Sequence, residues 1–305
     1  MDAQYCLPCG TQIDRYKIIK PISTGGFSIV YLALDRLEKT KVILKEYLPT
    51  NLAKRLRNLT VVPLDHRKEQ SLQKGRALFF QEANILATLK HPNIVNVINF
   101  FRAYDTVYMV MEYKKGKNLE SYIVRHRGRL SERLILTALH PLLDGLELMH
   151  AQGYLHLDIK PANIHLQPGG QPILLDFGSV HRRDLSRRNQ PGQVLTAGYA
   201  PIEQFNKNGY VGPWTDAYAI GATLRSCIEG EPPPDARTRH AQDKVTPTTI
   251  LYRKKYSHAL LTLIDWCLEV DPEARPQSIA LLKVKLPPCE QDLEDASSKK
   301  KVSGG

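Results

Sequence analysis

The change of residue pattern near Glu112 constrains this chain more than any single motif. Before it, "RYKIIKPI", "IVYLAL", "KVILKEYL", "NIVNVINFFR" and "TVYMVMEY" mix β-branched, aromatic and aliphatic residues at strand length. Gly25-Gly26 and Asp35-Arg36 break the first three apart, which predicts a small antiparallel sheet. One helix interrupts the strands. In "ALFFQEANILATLK", Leu78, Phe79, Ala83, Ile85, Leu86 and Leu89 recur at helical spacing, and His91-Pro92 stops the run. Residues 49–75 are polar, basic and weakly patterned, which predicts a long connection with a turn or two of helix. After Gly116 the spacing turns helical. "LSERLILTALHPLLDGLELMHAQG" predicts a helix capped by Ser131 and closed at Gly153, and further helices are predicted over 216–229 and 257–269. The expectation is an α+β chain of two lobes joined near Glu112-Tyr113-Lys114, the first strand-rich and the second mostly helical. Residues 1–12 are expected to form an N-terminal extension, 13–112 and 113–287 the lobes, and 288–305, ending "EDASSKKKVSGG", a disordered tail.

Composition narrows the classes of function. The longest apolar candidate, "LILTALHPLLDGLELMH", is broken by His140, Pro141, Asp144 and Glu147, so it does not suit a bilayer. "MDAQYCLPCG" lacks a basic region followed by an apolar one and is not expected to be a signal peptide. Five cysteines suit a reducing compartment, and a cytoplasmic location is expected. Cys6 and Cys9 form a CxxC without a second close pair, so both are read as incidental thiols. The formal net charge of +11 favours acidic partners without choosing among them.

Chemistry concentrates in "YLHLDIKPANIHLQPGGQPILLDFG". Asp158, Lys160, Asn163 and Asp176 fall within one short span. Carboxylates and an amide beside a lysine suit a divalent cation held on a polyphosphate, because a hard cation takes oxygen ligands and the lysine offsets phosphate charge.

These motifs resemble those of the eukaryotic-like (Hanks-type) Ser/Thr protein kinases, in particular bacterial members, over about residues 16–287. "HLDIKPAN" resembles the catalytic loop and "DFG" the metal motif. "VILK" resembles the strand lysine, Lys45, and Glu82 in "FFQEANIL" its helical partner. "GYAPIEQF", "DAYAIG" and "DPEARP" follow in the family's order. The resemblance implies a bilobal protein-kinase-like fold with a five-stranded antiparallel sheet and one helix in the first lobe. It implies transfer of the ATP γ-phosphate to Ser/Thr hydroxyls of proteins, and to the chain itself, with Mg²⁺ or alternatively Mn²⁺. Asp158 is then the base, Lys160 neutralises the γ-phosphate, Asn163 and Asp176 hold the metal, and Lys45 holds phosphates while Glu82 holds Lys45. Nucleotide contacts are implied at Ile22, Ser23, Gly25, Gly26, Phe27, Ser28, Val30, Ile43, Met111, Glu112, Tyr113 and His165. Thr196 occupies the position that ties the activation segment to the acceptor site. Asp216 should pin the catalytic loop, Glu203 should pair with Arg275, and His156, Phe177, Leu86 and Val97 resemble an apolar column.

The chain departs from the pattern in places. Ser23 and Ser28 replace two loop glycines, where glycine permits φ > 0 and close approach to phosphate. Ile43 stands where an alanine usually packs on adenine, and His165 near the residue on its other face; the two changes either narrow the slot or only shift the base slightly. Leu157 replaces the arginine that reads an activation-loop phosphate, so the expected class is non-RD, independent of that switch. The basic run at 181–189 is expected to be a solvated loop or to attract acidic residues around the acceptor, and the run at 51–58 an exposed face on a lobe connection or a docking helix. Three competing expectations remain. A pseudokinase scaffold would keep its role without Asp158 or Asp176. Nucleic-acid binding is not expected, for want of stacking or zinc motifs. Membrane contact is expected only if "KKKVSGG" continues into an anchor.

Overall fold

The computed structural model describes residues 5–182, 195–206 and 209–288. The chain divides into two compact units, one formed by residues up to His91 with 95–114, the other by 92–94 and residues from 115 onward.

The first unit is an antiparallel sheet with one long helix. Its strands are β1 (Gln12–Ile13), β2 (Tyr16–Thr24), β3 (Ser28–Asp35), β4 (Thr40–Tyr47), β7 (Val97–Ala103) and β8 (Thr106–Glu112). They lie in the order β1-β2-β3-β4-β8-β7, six strands where five were expected. The additional strand is β1, two residues long, which pairs Ile13 with Tyr16 across a turn where Asp14 takes φ 51°. A two-residue strand is too short to show any alternation. Along β3 burial alternates with the pleat, placing Ile29, Tyr31 and Ala33 on one covered face. Register puts Glu46 beside Ile29 and Tyr108, so Leu44, Glu46 and Tyr108 share that face. Tyr16, Phe101 and Tyr108 stack across it, with centroids 5.7 and 5.4 Å apart.

The stretch expected to be a loose connection is ordered. It carries the hairpin β5 (Ala53–Arg55) and β6 (Val61–Pro63), and helix α1 begins at His66 rather than near Leu78, running to Thr88. Asp65 caps it by accepting from the Arg67 N–H at 2.9 Å. Its first turns bury only Leu72, so they lack the apolar stripe on which hydrophobic spacing depends. Gly75 sits mid-helix for a steric reason: a Cβ there would meet the Tyr47 hydroxyl at 1.8 Å.

The second unit is mostly helical: α2 (Leu119–His126), α3 (Glu132–Ala151), α4 (Ile202–Phe205), α5 (Pro213–Glu229), α6 (Ala236–Ala241), α7 (Thr248–Leu251), α8 (His258–Cys267) and α9 (Ile279–Lys285). The short strands β9 (Lys117–Asn118), β11 (Ile164–Leu166) and β12 (Pro172–Leu174) form one sheet, and β10 (Tyr154–Leu155) pairs with β13 (His181–Arg182). Ser131 caps α3 through the Leu134 N–H, and Gly153, at φ 82°, turns the chain into β10. Helix α5 is buried over nearly its whole length, the central post of this unit. Among the described residues no helix is long and apolar enough to cross a membrane. The segments 183–194 and 289–305, with most of the first basic run and the proposed tail, lie outside the described residues.

Candidate active site

In the first unit, β4 carries Lys45 toward α1, where its Nζ lies 2.9 Å from Glu82 Oε1. The two side chains are 10% and 7% exposed, and the ammonium also sits 5.5 Å from the Phe79 ring centre. At this burial an unpaired charge would be costly, and each side chain offsets the other.

The glycine loop is the β2–β3 turn. Ile22 and Ser23 end β2, Gly25, Gly26 and Phe27 make the turn, and Ser28 and Val30 open β3. The Gly25 N–H donates to Ser28 O at 2.8 Å and closes it. The chain just beyond β4 holds the tip: Leu48 N–H donates to Phe27 O at 3.0 Å and Thr50 N–H to Gly26 O at 3.2 Å. Neither Gly25 nor Gly26 adopts positive φ, and a Cβ on Gly26 would meet nothing within 4 Å. The loop in this conformation therefore does not need the freedom that its lost glycines would have supplied. Ile43 is half-buried and pairs with Leu32 and Met111. Met111 is buried, Glu112 contacts Lys114 at 2.6 Å and donates its N–H to Asn96 O, and Tyr113 is exposed.

In the second unit, the catalytic-loop residues gather around Asp158. Lys160 Nζ lies 3.0 and 2.8 Å from its two carboxylate oxygens. Thr196 donates to Oδ1 at 3.1 Å while Lys160 donates to the Thr196 hydroxyl at 2.9 Å. Asn163 Nδ2 reaches the Asp158 carbonyl at 2.8 Å and Oδ2 at 3.0 Å. Asn163 in turn accepts the Leu175 N–H on its backbone carbonyl at 2.8 Å, which ties it to the strand leading to Asp176. Asp176 is exposed and takes φ 57°, while Phe177 beside it is buried. Left-handed non-glycine residues are costly and cluster where surrounding structure holds them for function. His165 lies half-buried on β11 opposite Ile173 and Asn118.

Asp216 at the start of α5 organises this loop from the core. It accepts from the backbone N–H of His156 at 2.9 Å and of Leu157 at 2.8 Å, with His150 Nε2 at 2.7 Å. Burial works against its charge, but the His150 bond and the N–H donors hold its carboxyl below the usual range. Leu157 takes φ 61° between that anchor and Gln204, whose Nε2 donates to the Leu157 carbonyl at 3.0 Å. Its side chain forms a buried apolar cluster with Leu155 and Val211. Burial also pushes His156 below the ordinary histidine range, so the ring is neutral. Its Nε2 faces the Leu175 carbonyl at 3.2 Å and carries the proton; Nδ1 accepts the Asp158 N–H at 3.3 Å. The ring packs edge-on to Phe177 at 4.9 Å. Glu203 pairs with Arg275 at 2.8 Å and also accepts from Thr215.

His150, Gln204 and Thr215 were not singled out from the sequence. His150 and Gln204 act by bonding groups far away in the chain, and Thr215 by bonding Glu203 from the next helix; no spacing singles out these side chains.

The protein kinase domain family matches residues 16–286. This chain belongs to that family. Serine/threonine-protein kinase STE20 of Candida glabrata is 30% identical over 92% of the chain, which spans 28% of that relative. Serine/threonine-protein kinase F of Synechocystis sp. is 30% identical over 75% of the chain, which spans 47% of it. The chain thus covers less than half the length of both. The solved structure "PpkA-294 apo form" matches with a TM-score of 0.84 at 36% identity, over 93% of this kinase domain and 100% of that chain. The fold is the bilobal protein-kinase fold, a sheet-and-helix lobe followed by a helical one.

Proposed function

We propose that this kinase domain is catalytically active and transfers the γ-phosphate of ATP to Ser or Thr hydroxyls of protein substrates, including its own. One observation carries the reading: Lys160, Thr196 and Asn163 all converge on the Asp158 carboxylate. A scaffold that only binds partners has no use for a carboxylate, 18% exposed, held by three polar side chains. Asp158 is the proposed base, aligning the acceptor hydroxyl and taking its proton. Lys160 supplies positive charge beside that reaction centre. Asn163 and Asp176 offer the amide and carboxylate oxygens that Mg²⁺ takes, so the donor set fits the family's metal. When bound, Mg²⁺ neutralises charge on the transferred group and its leaving phosphate. Lys45, paired with Glu82, is assigned the α- and β-phosphates, and the loop from Ile22 to Val30, Ile43, Met111, Glu112, Tyr113 and His165 the remaining nucleotide contacts.

The Leu157 environment supports the non-RD class. An arginine there would serve a loop phosphate; a leucine packed on Leu155 and Val211 anchors the loop by apolar burial. The proposed setting is the cytoplasm, with substrates bearing Ser/Thr acceptors.

The deciding experiment is transfer of labelled γ-phosphate from ATP-Mg²⁺ to the protein and to a generic Ser/Thr acceptor. An Asp158→Asn, Asp176→Ala double variant runs beside it. Label on Ser or Thr in the wild type alone supports the kinase. No transfer over a range of Mg²⁺, Mn²⁺ and millimolar ATP leaves the scaffold as the reading.

A further inference from the structure

Glu46 follows Lys45 directly, so the two side chains leave β4 on opposite faces. Lys45 goes to Glu82. Glu46, 0% exposed, enters the covered face of the sheet. There it accepts from the hydroxyls of Tyr31 (2.9 Å) and Tyr108 and pairs with Arg55 from the β5–β6 hairpin. The same network grips the start of the described chain. Leu7 donates its N–H to the Tyr31 hydroxyl at 3.0 Å and buries its side chain to 1% exposure, and Arg55 Nε donates to the Tyr5 carbonyl at 2.9 Å. Arg55 also donates to Leu59 O at 3.0 Å, closing the hairpin on itself. Burial and the neighbouring Glu46 charge push both tyrosine hydroxyls well above their ordinary range, so both stay protonated as donors. Tyr5–Leu7 thus lie as a strap across the sheet.

A charge buried this deeply is costly unless every lone pair is met, and an apolar residue on this face would serve packing as well. Its placement is what matters. The hairpin, β3 and β8 all bond one carboxylate that lies one residue from Lys45, and the strap bonds two of its holders, Tyr31 and Arg55. Beyond it, the same segment donates from Leu48 and Thr50 to the glycine-loop tip. Whatever moves Glu46 therefore moves Lys45 and the loop.

We infer that the strap Tyr5–Leu7, acting through Tyr31, Arg55 and Glu46, is a positioning device that sets Lys45 against Glu82 for nucleotide binding. This rests on the kinase reading for its nucleotide and on geometry alone for its effect on Lys45. None of these residues touches substrate in the proposal; they are positioning residues.

The test uses the full chain. Leu7→Pro removes the N–H that meets Tyr31, Tyr31→Phe removes the bridging hydroxyl with little change of volume, and Leu7→Ile keeps both the N–H and the burial. Two quantities are measured. One is the acetylation rate of Lys45 relative to exposed lysines in the same sample, by mass spectrometry. The other is affinity for ATP-Mg²⁺, in the Lys45 and Lys45→Met backgrounds. Losing one hydrogen bond that positions Lys45 corresponds to about a fivefold effect. Leu7→Pro and Tyr31→Phe should speed Lys45 labelling by about that factor. They should weaken nucleotide binding similarly when Lys45 is present and barely at all in Lys45→Met, with Leu7→Ile like the wild type. Unchanged Lys45 labelling, or equal affinity losses in both backgrounds, overturns the proposal. If Leu7→Pro does not fold, Tyr31→Phe decides by the same readings. If the wild type binds no nucleotide, the kinase reading fails and the labelling rates alone decide this one.

Discussion

Thr196 donates its hydroxyl to Asp158 Oδ1 at 3.1 Å from 38 residues further along the chain. Lys160 bonds both partners, so these three side chains join the segment around Thr196 to the catalytic loop. Removing the hydroxyl should free Asp158 to move without touching the lysine of β4. Thr196→Ala is expected to lower kcat by about tenfold to a hundredfold, the scale of a misplaced catalytic group, with KM for ATP unchanged. Thr196→Ser should keep the wild-type rate. Steady-state kinetics on a peptide acceptor separate the two parameters.

Leu157 should serve stability rather than phosphate recognition. Leu157→Ala leaves a void between Leu155 and Val211 and is expected to cost about 2–4 kcal/mol in urea unfolding. Treatment of the wild type with a phosphatase should leave its rate unchanged. A rate abolished by phosphatase and restored on rephosphorylation would show that a loop phosphate is read elsewhere.

Glu203 and Arg275 join α4 to the segment before α9, with exposures of 4% and 2%. Arg275 also stacks on Tyr218 at 4.9 Å and donates to the carbonyls of Glu269 and Val270. Arg275→Met strands a buried carboxylate and should cost roughly 3–5 kcal/mol, measured by thermal or urea unfolding. Adding Glu203→Gln should recover part of that loss, since the stranded charge is then gone. Full additivity of the two would mean the pair is not coupled.

His156 gives a pH dependence whose sign is determined. Its pKa lies below the unfolded value because of burial, so the unfolded chain takes up the proton first as pH falls. Its contribution to stability is complete above the ordinary histidine range and is lost as pH drops through about 6.5 toward the folded pKa. Asp216, held below its ordinary value, acts lower, its contribution being lost only as pH falls through the acid carboxylate range. Comparing melting temperatures of wild type and His156→Asn from pH 8 to 5 checks this. The wild type's advantage should shrink across that span, and a constant gap would contradict the neutral buried ring.

The sequence alone determined the order of elements and the identities of the reactive groups. Strand-length β-branched runs, helical spacing, caps such as Ser131 and the span from Asp158 to Asp176 are local patterns, each specified within a few residues. The family match over residues 16–286 spans those same motifs. Local pattern failed where an element lacked an apolar stripe, as in the first turns of α1, or was too short to alternate, as in β1. The family motifs anticipated a few distant pairs, Lys45 with Glu82 and Glu203 with Arg275 among them, and only the tertiary structure decided the others. That Thr196 closes on Asp158, that Gln204 holds the Leu157 carbonyl, and that Leu7 reaches Glu46 through Tyr31 are facts of packing. These bonds join residues 15 to 47 positions apart. Hydrogen bonding depends on distance and direction in space, and neither is written into the spacing of residues along the chain.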